Sequence, residues 1–149
     1  MTAHGLRRMA EVSGTEALWL LESAVQGRLV YVQREQPVLR PAVHVLTYGR
    51  LVVRTPAQAA ALSARTSLTY QADEIEVAGG TGWTVTATGP AEVINDPDEA
   101  ALPHSLKGMG GTPLRRTLPG WAHGPHDTLV RIRPQTVIGF RLARAEAVR

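Results

Sequence analysis

"RLVYVQREQPVLRPAVHVLTYGRLVVRT", residues 28–55, holds three apolar runs separated by short polar breaks. Residues 28–33 form a short strand, "REQP" at 34–37 is a turn, and "VLRPAVHVLTY" at 38–48 is a longer strand. Tyr48 and Gly49 then turn the chain into "RLVVRT" at 50–55. Runs of this length, bounded by turn residues and rich in β-branched side chains, predict a three-stranded antiparallel meander. Pro41, in the middle of the second run, has no N–H and belongs on an edge, at a bulge or where a ladder bond is absent.

The third run ends on Arg54 and Thr55, followed by Pro56 and "AQAAALSA". Proline fits the first turn of a helix, and the alanine-rich stretch has the highest helix propensity in the chain. A short helix is therefore expected to open beside Arg54. Unpaired N–H groups of a first helical turn, next to a guanidinium, make an anion seat suited to phosphate. The plainer alternative is a solvated arginine that ends a strand.

Upstream, residues 1–12 read as a loose leader. Ser13 with Glu16 fits a capping box, and a helix over 14–25 follows, with Leu18, Leu21 and Val25 on one stripe and Gly27 as its stop. Downstream, "SLTYQAD" at 67–73 is a strand with Leu68 and Tyr70 on one face, and Asp73, Glu74, Glu76, Gly79 and Gly80 read as a turn. In "TGWTVTATGPAEVIND", 81–96, Trp83, Val85, Ala87 and Val93 alternate with threonines, and Gly89-Pro90 predicts a bend.

Asp96, Pro97 and Glu99 predict another short helix, limited by Pro103. Residues 106–126 carry five glycines and three prolines and read as a long loop. Two strands close the chain. "TLVRIRP" sets Leu129, Arg131 and Arg133 against Val130 and Ile132, and "TVIGFRL" groups Ile138, Phe140 and Leu142. Six or seven closely spaced strands, bent by glycine and proline, favour a barrel.

A chain of 149 residues fits one domain, and that size buries roughly 70% of the surface its unfolded form exposes. An apolar share of 44% and a charged share of 19% describe a globular protein. All but one of its 16 basic residues are arginine, scattered from Arg7 to Arg149, against 13 acidic residues. A nucleic-acid binder would gather that charge into a stripe. With no cysteine, disulfides and thiolate chemistry are excluded. No signal peptide or membrane helix is legible, so a cytoplasmic protein is expected.

His123 and His126 form an H-x-x-H, but "WAHGPHD" lacks helical spacing and a third ligand, so no metal site is expected. His44 reads as a structural hydrogen-bonder, or as a group gating a nearby ligand. No nucleophile elbow, P-loop or dinucleotide fingerprint is present. Trp83 reads as core, or as one wall of an aromatic ligand's site.

The order "GRLVYV", "RPAVHVL", "LVVRT" plus helix, "TGWTVTATGPAEVI" and "GWAHGPHDTLVRIRPQTVIGFRL" resembles the pyridoxamine 5'-phosphate oxidase-like flavin-binding split-barrel family, in its short actinobacterial-type form. The resemblance covers residues 13–142, leaving a leader at 1–12 and a tail at 143–149. It implies a mainly β fold, a six-stranded antiparallel split barrel with a few short flanking helices. It also implies a homodimer with flavin sites at the interface, acting on a small-molecule substrate.

By the same resemblance, Arg54 and Thr55 hold the flavin phosphate, and Pro41, Ala42, Val43 and His44 lie along the ring. Trp83, Trp121 and Arg131 complete the surroundings. The implied cofactor is FMN, with the deazaflavin F420 as the alternative. The implied activity is that of an oxidoreductase, and the alternative is a non-catalytic flavin or small-ligand module. In either case the cofactor carries the redox chemistry and no catalytic side chain is singled out.

Two positions depart from the family pattern. Relatives often carry a lysine at the start of the helix after Arg-Thr, where this chain has Gln58 and alanines, and a polar residue where it has Val43. Losing one charge-assisted contact costs about 1.5–3 kcal/mol, roughly ten- to hundredfold in affinity.

Overall fold

A computed structural model describes residues 7–94 and 127–144. The predicted helix after Asp96, the long loop, Trp121, His123 and His126 lie outside the described residues. The elements run β1 (Arg7–Val12), α1 (Gly14–Ser23), β2 (Gln26–Gln33), β3 (Gln36–Thr47), β4 (Arg50–Pro56), α2 (Ala59–Ser63), β5 (Ser67–Glu76), β6 (Thr81–Ile94), β7 (Asp127–Ile132) and β8 (Thr136–Arg144).

The strands pair antiparallel in the order β1-β8-β6-β5-β2-β3-β4-β7, and β6 also pairs β7, closing a ring of six. The long β6 makes this possible. Its first half, Gly82 to Thr88, pairs β8, and its last four residues, Ala91 to Ile94, pair β7. Between them Gly89 lets the β7–β8 connection cross closely, because a Cβ there would stand 1.8 Å from the Arg133 carbonyl oxygen. The fold is thus a mainly β split barrel, and β8 with β1 extends the sheet beyond the ring.

The meander forms as its sequence predicts. Arg34 and Glu35, and then Tyr48 and Gly49, take positive φ, so both hairpins turn on two residues with the twist that antiparallel strands favour. Strand alternation then sorts the side chains. Leu29, Val53, Tyr70, Val85, Ala87, Val130 and Ile132 fill the barrel, and Thr84, Thr86 and Thr88 take the other face of β6.

Ser13 caps α1 by accepting from the Glu16 N–H at 3.1 Å, while the Glu16 carboxylate turns to Arg141 at 2.5 Å. The buried stripe of α1 is Ala17, Leu20 and Leu21.

Four expectations are corrected. Residues Arg7–Val12 are not loose but pair with β8, because the outer edge of β8 offers an unfilled ladder. The helix ends at Ser23, since the chain is extended from Ala24, so Val25 is outside it and exposed. Gly27 is no helix stop. It sits in β2, where a Cβ would meet the Gln71 carbonyl at 2.4 Å and the Tyr70 hydroxyl at 2.8 Å.

The last correction concerns Asp73, Glu74 and Glu76, read as a turn, which instead end β5 and pair with Thr84, Trp83 and Thr81. On β8 the expected grouping of Ile138, Phe140 and Leu142 is found, and the opposite face carries Gly139 against Ala17 of α1, a contact that a Cβ would close to 2.8 Å. That places Ile138, Phe140 and Leu142 on the outer face, with Ile138 exposed.

Candidate functional site

The corner after β4 is built by two threonines. Thr55, fully buried, donates its hydroxyl to the Pro41 carbonyl at 3.0 Å. Thr128 stands opposite Thr55 on β7 and donates to the Ala57 carbonyl. Together they fasten the end of β4 between its two neighbours. Thr55 therefore acts as a clasp, pointing into the barrel, while its neighbour Arg54 points outward by strand alternation. Sequence reading placed both side chains on one phosphate; the pleat separates them.

The helix expected at Pro56 begins only at Ala59, because Pro56 still pairs with Asp127 as the last residue of β4. α2 has five residues, and its cap position, Gln58, makes no side-chain capping bond. The helix start expected beside Arg54 and Thr55 is thus absent from the corner itself.

Outside the barrel, β4 and β7 bring two of the predicted residues together. Arg54 pairs with Leu129, and Val52 pairs with Arg131, so the two arginines stand diagonally across the ladder, about 7–8 Å apart between α-carbons. Arg50 continues the Arg54 row two strand repeats back. Arg131 is held by Glu92 at 2.9 Å. On the same face Val43, Val52, Ile94 and Leu129 form a buried apolar cluster with Val45 beside it, and the two arginines stand among them in register. Val43, predicted to border a ring, is thus part of an apolar floor.

Beside this floor a cavity of about 320 Å³ is lined by Gln26, Gly27, Arg28, Leu39, Pro41, Ala42 and Asp73. Pro41 is exposed there, whereas the Ala42 side chain is buried in the core. Arg28 contacts Asp73 at 3.4 Å and also bonds Gln71. The Gln71 amide in turn donates to Asp73 and to Thr84, each at 2.9 Å. The cavity thus offers donors, acceptors and an apolar wall.

His44 and Trp83 do not reach this face. His44 points into the barrel, where its Nε2–H donates to the Leu21 carbonyl at 2.9 Å and its Nδ1 accepts from the Tyr70 hydroxyl at 2.6 Å. Burial lowers its pKa, partly offset by the Leu21 bond. Burial likewise pushes the Tyr70 hydroxyl well above its ordinary value, against the attraction of Arg28. A neutral imidazole with both nitrogens bonded is a structural link between α1, β3 and β5, not a base. Trp83 is buried in the core, between Glu74 and Arg141 in register.

Thr128 and Arg28 were not singled out from sequence, and Tyr70 was read only as one face of its strand. Their positions follow from strand pairings far apart along the chain, which no local spacing reveals. Among the described residues no group of His, Asp and Glu could hold a metal ion, and no helix is long and apolar enough to cross a membrane.

Residues 13–141 match the family described as pyridoxamine 5'-phosphate oxidase. An uncharacterized protein of Mycobacterium tuberculosis, Rv0080, is 32% identical over 143 residues, covering 91% of this chain and 87% of that one. Among solved structures, an FAD-binding protein of Mesorhizobium loti has a TM-score of 0.69 at 19% identity, covering 93% of this chain and 100% of that one. The FAD-binding protein of Mycobacterium smegmatis has a TM-score of 0.59 at 21% identity, covering 90% of this chain and 98% of that one.

Proposed function

The chain belongs to the pyridoxamine 5'-phosphate oxidase family, and from that premise we propose that it binds a flavin on the outer face of β3, β4 and β7 and serves as an oxidoreductase for a small organic substrate. The observation that carries the reading is the arrangement of Arg54 and Arg131 around the buried floor of Val43, Val52, Ile94 and Leu129. An apolar surface rimmed by guanidinium groups fits a ligand that joins a planar ring to a phosphate.

The donor set passes the same test at the ring end. Arg28 donates, Asp73 accepts and Gln26 does either, beside the apolar wall of Leu39 and Pro41. A ring edge with carbonyl oxygens and an imide N–H needs that mixture. FMN is the cofactor these features suit first, with F420 second; FAD is what the two solved relatives are named for. We extend the reading to a homodimer, in which a second copy covers the exposed Leu39 and Pro41 edge of the site.

When bound, a flavin supplies hydride or single-electron transfer. The chain's own part is to neutralise phosphate charge with Arg54 and Arg131, to exclude water from the floor, and to orient the ring against Pro41. Thr55 acts indirectly, holding the Pro41 carbonyl and so the strand that carries it. No acid or base of this chain is required.

A second reading, a non-catalytic flavin module, is favoured by the absence of any cation from α2 and its cap, Gln58, beside Arg54. Colour of the purified protein, followed by titration with FMN, FAD and a deazaflavin, tests binding. Turnover of a bound flavin with a nitroaromatic or quinone acceptor separates enzyme from module. Failure to bind any of the three at high micromolar concentration would remove both readings.

A further inference from the structure

Among the described strands β1 alone has a single partner. β7, at the far end of the strand order, is closed onto β6, so the sheet keeps one open end, the outer edge of β1. That edge runs the six residues Arg7–Val12, "RRMAEV", and neither proline, lysine nor a bulge interrupts it. A row of backbone N–H and C=O groups left in this way templates a further strand.

Alternation gives the edge strand two faces. Met9 pairs with Leu142 and Glu11 with Phe140, so both lie on the face that also carries Ile138. Met9 is 59% and Ile138 43% exposed there. An apolar row thus runs out to the sheet edge and, among the described residues, stops at Met9.

The sequence of β1 is complementary to itself. A second copy related by a two-fold axis normal to the sheet adds its β1 antiparallel and keeps the faces, so odd residues oppose odd and even oppose even. Centring the pair on Arg8 or on Glu11 shortens the overlap and sets like charges against each other on the axis. Centring it on Ala10 sets Met9 against Glu11. Centring it on Met9 sets Met9 against Met9, Arg8 against Ala10 and Glu11 against the position of Arg7. Only that register brings opposite charges together on both sides of the axis and continues the apolar row from one copy into the other.

We propose that β1 is a self-association edge, through which two copies pair antiparallel along Arg7–Val12, centred on Met9, and join their sheets into one. The contact is separate from the Leu39 and Pro41 edge on β3, and it depends neither on a bound flavin nor on the flavin reading.

The chain has no cysteine, so a single introduced thiol can bridge only to its counterpart in a second copy. The test oxidises the full chain carrying Met9→Cys, Ala10→Cys or Val77→Cys under identical mild conditions and follows covalent dimer on non-reducing gels. Sedimentation of the wild type and Met9→Glu runs in parallel. Directly opposed positions fall within disulfide reach, about 4.4–6.8 Å between α-carbons, whereas the two Ala10 positions are diagonal, about 7–8 Å apart. Val77, 83% exposed just after β5, reports chance collision.

Met9→Cys is expected to bridge about tenfold faster than either control. Met9→Glu sets two carboxylates on the axis and is expected to halve the mass of the wild-type assembly while leaving its thermal unfolding intact. Bridging of Met9→Cys no faster than that of Val77→Cys overturns the proposal, as does a Met9→Glu variant that sediments like the wild type. Ala10→Cys bridging as fast as Met9→Cys overturns it too, since the pairing is then not centred on Met9.

Discussion

Arg54 and Arg131 stand diagonally across the β4–β7 ladder, with Val52 and Leu129 completing the square. The pairing of two strands more than seventy residues apart turns scattered arginines into a rim around an apolar floor. Glu92 holds Arg131 at 2.9 Å.

That ion pair carries a prediction. Arg131→Ala should weaken FMN by about three- to tenfold, the effect of about 0.5–1.5 kcal/mol. Glu92→Gln should tighten it, since a competing carboxylate is removed. Isothermal titration at two salt concentrations checks both, and Glu92→Gln weakening FMN would contradict the assignment.

The burial of His44 predicts a loss of stability in mild acid. The unfolded chain takes up a proton near the ordinary histidine value of 6.5, whereas the folded chain does so only at lower pH. Between those values the unfolded state binds more protons, so stability falls as pH drops below about 6.5. Urea midpoints at pH 7.5 and 5.0 should differ less in His44→Gln than in the wild type. Equal differences would contradict a buried neutral imidazole.

Tyr70→Phe removes the donor to His44 Nδ1 and leaves a buried acceptor unsatisfied. It should cost about 1–3 kcal/mol in urea unfolding. A neutral result would mean that the imidazole finds another partner.

Trp83→Ala separates core from site. The side chain is buried in the barrel, so the change should cost about 3–5 kcal/mol while leaving the affinity of the remaining folded protein for FMN within about twofold, less than 0.5 kcal/mol. A stable variant with lost flavin binding would return Trp83 to the ligand site.

The barrel was legible because alternation is a local signal. Trp83, Val85 and Ala87 against Thr84, Thr86 and Thr88 define two faces without any knowledge of partners, and "REQP" and "TYGR" announce hairpins. What escaped depended on neighbours. Arg7–Val12 became a strand because β8 offered an edge.

At the site, Arg54 was legible as an outward cation, but Thr55 was read beside it although the pleat turns it into the barrel. Pro56 looked like a helix start, yet pairing with Asp127 kept it in β4.

The central claim is that a flavin phosphate is held at Arg54, and a paired titration of FMN into the wild type and Arg54→Ala measures it. The expected result is micromolar or tighter binding by the wild type and a loss of about ten- to hundredfold in the variant, or about 1.5–3 kcal/mol, with riboflavin affected little. Equal affinity of the two proteins for FMN would contradict it.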